Sequence, residues 1–230
     1  MSSISVAGDT SGSITIAAPA VAGSGTLTLP VATDTLIGKA TTDTLTNKTL
    51  TSPVLTAPAL GTPASGVLTN CTGVPAAALP AGSVLQVVTF QTGAGATGTT
   101  LIPADDTIPQ ITEGTEFMTL AITPISATSK LLITVICIIN GSVNNAMVTA
   151  LFQDSNVNAL AANYGIPGAA NLTISPTLIY SKTSGSTSST TFRVRAGGNN
   201  GGTNTFNGSG GVRQYGGVLV SSITIMEIAA

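Results

Sequence analysis

Histidine and tryptophan are absent from this sequence of 230 residues, and only 7% of the residues are charged. Without histidine, the ordinary Ser–His and Cys–His nucleophilic systems are excluded. Cysteine occurs only at Cys71 and Cys137, which is too few for a structural zinc site. We expect both to be small buried hydrophobic residues rather than a disulfide. The sequence therefore predicts a protein that is not an enzyme and that carries no metal and no cofactor.

Long apolar runs and clusters of basic residues are also missing. Mean hydropathy is +0.46, yet no run approaches the roughly 20 residues of a membrane span, because even the longest, 131–139, contains Thr134. We therefore expect no membrane insertion. The seven lysines and arginines are scattered and the net charge is −2, so nucleic-acid binding has no support. The first four residues are neither basic nor continuously apolar, so we expect no secretory signal.

Two motifs could in principle carry chemistry. Asp105, Asp106, Glu113 and Glu116 form an acidic cluster, and paired carboxylates can bind Ca²⁺ or hydrolyse glycosides. Their spacing matches no calcium loop, so we expect a solvated loop, with a weak cation site as the alternative. Residues 93–98 match the glycine spacing of a dinucleotide-binding loop, but no helix pattern follows, which indicates a flexible surface loop.

Threonine, leucine and proline are abundant between residues 41 and 73. Pro53, Pro58 and Pro63 exclude a helix there, because each removes a backbone donor and fixes φ, and each pushes the preceding residue towards an extended conformation. One extended strand cannot bury its own leucines. We therefore expect residues 36–80 to form a shaft in which leucines pack against copies of the same chain. These leucines are Leu45, Leu50, Leu55, Leu60 and Leu68.

Alternation of polar and apolar residues predicts short strands on both sides of this stretch. Within residues 1–35, segments 13–17 and 25–29 predict a β-hairpin. Residues 81–230 contain eight or nine strand-like segments separated by glycine- and asparagine-rich turns, which predicts an all-β fold of the β-sandwich or jelly-roll type. The predicted strands are 84–90, 116–123, 130–139, 146–153, 156–161, 172–181, 190–196, 212–215 and 218–228.

Three patterns in the C-terminal part make sharper predictions. The run 131–139 is apolar on both faces, which predicts a strand covered on both sides, either centrally in the sandwich or at a subunit interface. The final segment changes its alternation at Ser221 and Ser222, which predicts a bulge. Arg193 and Arg195 lie on one face of a strand, and we expect them to pair with Glu113, Glu116 or Glu227 of a neighbouring chain, with solvation as the alternative.

Shaft sequences of tailed-bacteriophage fibre proteins resemble two segments of this chain, Thr44-Leu-Thr-Asn-Lys-Thr-Leu-Thr-Ser-Pro53 and Leu60-Gly-Thr-Pro-Ala-Ser-Gly-Val-Leu-Thr-Asn-Cys-Thr-Gly73. Residues 8–30 are similar to segments that open many phage tail-fibre-like proteins, and residues 122–135 and 222–230 resemble their distal β-domains. The resemblance implies a homotrimer. Residues 1–35 would attach to other virion proteins, an intertwined β shaft would follow, and residues 81–230 would form an outward β-sandwich.

On this resemblance we expect a structural fibre of a bacteriophage virion, assembled in the host cytoplasm, whose distal domain binds a glycan or protein of the host surface. The alternative is a capsid or tail decoration or adaptor protein without a receptor-binding role. A receptor site would use the scarce aromatic and basic side chains of the distal domain, although each could instead pack a loop or the trimer interface. The candidate receptor-binding residues are Tyr164, Phe206, Arg213 and Tyr215.

Overall fold

The computed structural model describes residues 3–7, 11–17, 49–51, 54 and 79–230. The chain divides into two compact units, Met1–Gly66 and Val67–Ala230. In the first unit, strand β1 (Ser3–Ala7) pairs antiparallel with β2 (Ser13–Ala17). The predicted strand 13–17 is therefore present. Its predicted partner, 25–29, lies outside the described residues, so that hairpin stays a prediction.

Most of the predicted shaft also lies outside the described residues, including Leu45, Leu55, Leu60 and Leu68. Leu50 is described, and 53% of its surface is exposed in the single chain. The interchain packing of these leucines therefore stays a prediction.

The second unit is built from antiparallel strands, which confirms the predicted all-β class. Its described residues contain no α-helix, and a 3-10 turn spans Tyr215–Gly217. The strands are β3 (Val84–Thr92), β4 (Ala96–Gly98), β5 (Thr115–Ile122), β6 (Lys130–Ile136), β7 (Ile139–Gly141), β8 (Met147–Gln153), β9 (Ala161–Gly165), β10 (Thr177–Thr183), β11 (Thr190–Gly198), β12 (Asn204–Phe206), β13 (Gly208–Ser209), β14 (Val212–Arg213) and β15 (Ser221–Ile228).

Two four-stranded sheets contribute to one hydrophobic core. Their strand orders are β10-β6-β15-β3 and β5-β11-β8-β9, and a smaller sheet has the order β4-β12-β7. Alternation along each strand sends every second side chain inward. In β15, for example, Ile223 and Ile225 are fully buried and meet Phe192 and Val194 of β11 in the same cluster.

Within the single chain, the strand that is buried on both faces is β8, whereas β6 has one face in the core and the other on the surface. The predicted run 131–139 is therefore not central in the sandwich, and its cover at a subunit interface stays a prediction. That run ends as β6 at Ile136, and the chain then crosses to β7 in the smaller sheet. In β8, Met147 and Leu151 face the main core, whereas Val148, Ala150 and Phe152 enter a second cluster with Ile102. The segment 99–114 supplies this second cover, which sequence periodicity in β8 alone does not reveal.

Two smaller predictions are also corrected. The register shift in β15 lies between Glu227 and Ile228 rather than at Ser221 and Ser222. The change of alternation at 221 has a simpler cause, because the strand begins there. Residues 93–98 are not a free loop, since β4 pairs with β12. Glycine at position 98 also allows β4 to lie against β5, because a Cβ on Gly98 would lie 2.0 Å from Oγ1 of Thr115.

Candidate functional site

An open groove lies between the segment 103–109 and strand β9. It consists of two adjoining cavities of about 390 and 490 Å³, which share Asp105, Thr107, Pro109 and Ala162 as lining residues. The larger cavity is also lined by Tyr164, Ile166, Asn163, Asn199 and Val148. One predicted binding residue, Tyr164, therefore lies in a concave site, with 64% of its surface exposed.

The wall of this groove is fixed to the sheet beneath it. Backbone hydrogen bonds run from Ile102 N to Gly198 O (3.1 Å) and from Gly114 N to Leu101 O (2.8 Å). Within the wall, Ala159 N donates to Pro109 O at 2.9 Å. Ile102 is fully buried beneath the segment. The groove is therefore held open by the fold rather than formed on contact with a ligand.

Asp105 presents its carboxylate at the point where the two cavities meet. Its Oδ1 accepts hydrogen bonds from the hydroxyl of Thr107 (2.5 Å) and from Thr107 N (2.9 Å). The hydroxyl, and then the backbone amide, lower the pKa of Asp105 below its usual value. The carboxylate is therefore ionised and held in one orientation at neutral pH.

The other two exposed candidates lie close together in the chain: Arg213 ends β14, and Tyr215 begins the 3-10 turn. Tyr215 has a φ of +49° and is followed by Gly216 and Gly217, whose φ values are +63° and +96°. Tyr215 is 73% exposed and Val218 is 80% exposed. A non-glycine residue in this region costs free energy, and backbone hydrogen bonds from Gly217 N to Gln214 O (3.2 Å) and from Val218 N to Tyr215 O (3.1 Å) close the turn.

Phe206 is not a surface residue, and its proposed contact with a receptor is wrong. It is 2% exposed, and its ring stacks on that of Phe117 with centroids 4.8 Å apart and planes 7° apart. The surrounding glycines and asparagines belong to β12 and the turns that flank it, not to a flexible loop. The pairing of β12 with both β4 and β7 carries Phe206 into the core.

The sheet β10-β6-β15-β3 has a second face, directed away from the core, which we call the outer face. Cross-strand partners share a face, so the register assigns its members. These are Thr177, Ile179, Ser181, Thr183, Lys130, Leu132, Thr134, Ile136, Ser222, Thr224, Met226, Ile228, Val84, Val87, Thr89 and Gln91.

The outer face is almost uncharged, and seven of its sixteen members are apolar. Ile179, Val87, Val84 and Ile136 are exposed by 67%, 51%, 50% and 38%, and the charged residue of the face is Lys130 at the end of β6. Its centre is a row of threonines, in which the hydroxyls of Thr89 and Thr224 lie 2.9 Å apart. A sheet face that combines exposed apolar side chains with hydroxyls and one charge is a candidate protein–protein interface.

The arginines of β11 find their carboxylate within the chain. Arg193 Nη1 lies 3.1 Å from Oε1 of Glu116, and Arg195 Nη1 lies 3.4 Å from Oε2 of the same residue. Arg195 also donates to the carbonyl oxygens of Glu113 and Gly114 at 2.9 and 2.8 Å. The predicted pairing with a neighbouring chain is therefore wrong. Glu116 is directly opposite Arg195 on β5, an arrangement that only the strand pairing creates.

Glu227 is a fully buried carboxylate held by five donor contacts. The hydroxyl of Ser129 and the amide of Gln86 donate to it at 2.6 Å each. The backbone of Ile125 donates to both oxygens at 2.9 Å, and that of Ser126 to Oε1 at 3.0 Å. The sequence alone could have indicated that Glu227 is buried, because the alternation of β15 places it on the same inward face as Ile225.

Cys137 is buried, and its thiol forms no disulfide among the described residues. Burial raises its pKa to about 12, and the Thr149 hydroxyl offsets only part of the shift. We expect iodoacetamide at pH 8 to leave Cys137 unmodified in the folded protein and to alkylate it completely in denaturant, because the thiolate is the reactive form. Peptide mass mapping would measure this, with Ser189→Cys as a control at an exposed position. Alkylation of Cys137 at the control's rate would contradict a buried, protonated thiol.

Within the described residues, no three or more histidine, cysteine, aspartate or glutamate side chains are grouped so that they could hold a metal ion. Glu116 is engaged by two arginines, and Glu113 accepts a hydrogen bond from Gln110 N at 2.8 Å. The four acidic residues therefore do not converge on one cation. The described part of the chain also has no helix of the length and apolarity needed to cross a membrane.

The fold and these surfaces define an antiparallel all-β domain with one uncharged sheet face and one preformed groove. Its sequence matches the family described as Pgp3 C-terminal domain over residues 99–230, and the chain belongs to that family. No curated protein matches the sequence.

Two solved structures are similar at low level, and both come from infectious bursal disease virus. One is the structure of the Gx strain, with 12% identity, a TM-score of 0.31 and coverage of 63% of this chain and 37% of the other. The second is the VP2 subviral particle, with 12% identity, a TM-score of 0.30 and coverage of 64% and 39%. The chain thus spans well under half of these structures, and similarity at this level carries no argument.

The family overturns the resemblance to bacteriophage fibres, since Pgp3 is a chlamydial virulence plasmid protein. The expectations of a bacteriophage fibre, of a phage decoration or adaptor protein, and of a virion location are therefore wrong. The resemblance depended strongly on the Thr/Pro/Leu-rich stretch, where biased composition alone produces similar sequences. The family match instead covers the folded domain.

Proposed function

We propose that residues 81–230 form a non-enzymatic assembly domain that self-associates through its outer face into a homotrimer. The single observation that carries the proposal is the outer face itself, an exposed four-stranded surface of apolar and hydroxyl side chains that has its one charge at a corner. Such a face is costly to leave in water, since burial is worth roughly 25 cal/mol per Å² of apolar surface.

The strand order supports a jelly-roll-like sandwich as the scaffold. The eight long strands in chain order are β3, β5, β6, β8, β9, β10, β11 and β15. The first and last are neighbours in one sheet, and the second and seventh are neighbours in the other. This is the nesting expected of two Greek keys in a jelly roll. It places the outer face on one broad side and leaves the segment 99–114 to cover the opposite sheet.

A second copy of this chain is the partner that best fits the outer face. A nearly uncharged surface offers no charge complementarity to an acidic or basic partner, whereas an identical face presents the same apolar and hydroxyl side chains. The edge strand β10 carries Ile179, which is 67% exposed, so this side chain can pack against the face of another copy. Depletion of charge at the centre is the usual composition of an interface core.

The sequence of residues 36–80 supports more than one copy in the assembly. Its prolines predict an extended segment whose leucines need cover from other chains, and we propose three parallel chains around one axis. Tethering the domains in this way raises their effective concentration, which strengthens even a modest contact between outer faces.

The test is the oligomeric state of the full chain, measured by light scattering. We expect the wild type at three times the chain mass of 22.6 kDa, and we expect Ile179→Asp to dissociate on dilution at a higher protein concentration than the wild type, because each interface would bury an unpaired carboxylate. Val157→Asp is the matched control, since Val157 is 60% exposed outside the outer face, and it should dissociate as the wild type does. A monomeric wild type, or an Ile179→Asp protein that resists dilution as well as Val157→Asp, would refute assembly through this face.

A further inference from the structure

We infer that the groove between residues 103–109 and β9 is a binding site for a neutral oligosaccharide that contains N-acetylhexosamine. The site is distinct from the outer face, because Tyr164 is directly opposite Val148 on β8, in the other sheet. It is therefore accessible whether or not the outer faces are joined.

The shape of the groove suits an extended ligand of several rings. The two cavities adjoin through Asp105 and Ala162, so together they form a channel along β9 rather than a closed pocket. Its wall is anchored by backbone hydrogen bonds at Ile102 and Gly114. A preformed wall lowers the entropy lost on binding, which matters for sugars because each hydroxyl contact is weak after desolvation.

The chemistry along the channel matches the parts of an N-acetylhexosamine. The exposed ring of Tyr164 offers a flat surface to the C–H face of a pyranose, and its hydroxyl offers a donor and an acceptor. The apolar lining of Val148 and Ala162 suits the acetamido methyl group. Asp105, held in place by Thr107, can accept hydrogen bonds from the acetamido N–H and from ring hydroxyls.

Charge decides which sugars fit. The charged residues among those that line the two cavities are Asp105 and Asp106, both acidic. An anionic glycan would bring carboxylates or sulfates next to them without a basic partner, and like charges at short range repel. A neutral glycan avoids this cost and uses the ionised Asp105 as an acceptor.

A peptide added as an extra strand is disfavoured at this edge. Strand addition needs the free backbone groups of β9. The side chain of Asn163 lies across that edge, since its Nδ2 donates to Thr177 O at 2.7 Å and its Oδ1 accepts from Tyr164 N at 2.8 Å. A ligand in the groove would therefore be recognised by side chains and by the shape of the wall rather than by backbone pairing.

The experiment titrates the full chain with tri-N-acetylchitotriose by calorimetry and by saturation-transfer NMR. We expect a dissociation constant below ~1 mM, and we expect Tyr164→Ala and Asp105→Asn each to weaken it by about tenfold or more. Tyr215→Ala is the matched control, because Tyr215 is also largely exposed, at 73%, but lies on the turn Tyr215–Gly217 outside the groove, and it should bind as the wild type does. Circular dichroism would verify that each variant is folded.

Two further probes separate the ligand classes. A hyaluronan tetrasaccharide carries the same N-acetylglucosamine between carboxylates and should bind at least about tenfold more weakly; hexalysine represents a cationic peptide. Absence of chitotriose binding at about 10 mM, well above the expected constant, would overturn the inference. Equal or tighter binding of hyaluronan or hexalysine would overturn it as well, as would Tyr164→Ala and Asp105→Asn variants that bind chitotriose like the wild type.

Discussion

Phe206→Ala is expected to lower the free energy of unfolding by about 3–5 kcal/mol, the usual range for removing a buried phenylalanine. The substitution leaves a cavity beneath β12 and removes the stacked contact with Phe117. Three-residue strands cannot readily collapse to fill it, because β12 is held on both sides by β4 and β7. Urea denaturation followed by circular dichroism would measure the loss.

Tyr215→Ala is the control for this prediction. Tyr215 is 73% exposed, and surface substitutions of this kind usually change stability by no more than about 0.5 kcal/mol. Both variants should be compared with the wild type at one protein concentration, because self-association would add to apparent stability. If Phe206→Ala were no more destabilising than Tyr215→Ala, the buried position of Phe206 would be refuted.

Glu227→Gln is expected to cost roughly 2–4 kcal/mol, because a hydrogen bond to a charged group contributes about 1.5–3 kcal/mol. The amide retains one acceptor oxygen but turns an NH₂ group towards the donors of Ser129, Gln86 or the Ile125 backbone. At about 2–4 °C per kcal/mol for a chain of this size, Tm should fall by roughly 5–15 °C. Asp106→Asn removes an exposed carboxylate and should leave Tm nearly unchanged. A Glu227→Gln protein as stable as that control would contradict the prediction.

Acidification should act through the same carboxylate. Burial, the largest single influence, raises the pKa of Glu227. The donors of Ser129, Gln86, Ile125 and Ser126 together outweigh it, so the pKa lies below the ordinary 4.5. A lowered folded-state pKa means that the stabilisation is complete above pH 4.5 and is lost as the pH falls through the folded-state value. Between pH 6 and pH 3, the wild type should therefore lose more stability than Glu227→Gln.

Alternation in the sequence was sufficient to identify the long strands. β3, β5, β8, β11 and β15 lie close to the predicted segments because each has seven or more residues, and in β11 and β15 every second side chain is buried. The sequence did not predict the short strands, because they are too short to show alternation. β4 and β12 have three residues each, which is too short for a periodic signal, and the glycines and asparagines around them are typical of loops.

The candidate site residues likewise differ in whether the local sequence indicates them. Tyr164 was predicted from its type and its surroundings, and the structure places it in a groove. One wall of that groove comes from residues 103–109, which include Asp105 and Asp106, predicted from the sequence to lie in a solvated loop. From the sequence, the carboxylate that pairs with Arg195 was expected to come from a neighbouring chain. The pairing of β11 with β5 instead places Arg195 opposite Glu116 of the same chain.

By itself, the sequence determined the all-β class, the long strands and the scarcity of surface charge, because these depend on composition and on the two-residue period of a strand. It also supplied a resemblance that the family of residues 99–230 corrected. Only the tertiary structure decided which residues are buried in β12, which donors surround Glu227 and which side chains line the groove. Each of these depends on contacts between segments far apart in the chain, and local periodicity contains no information about such partners.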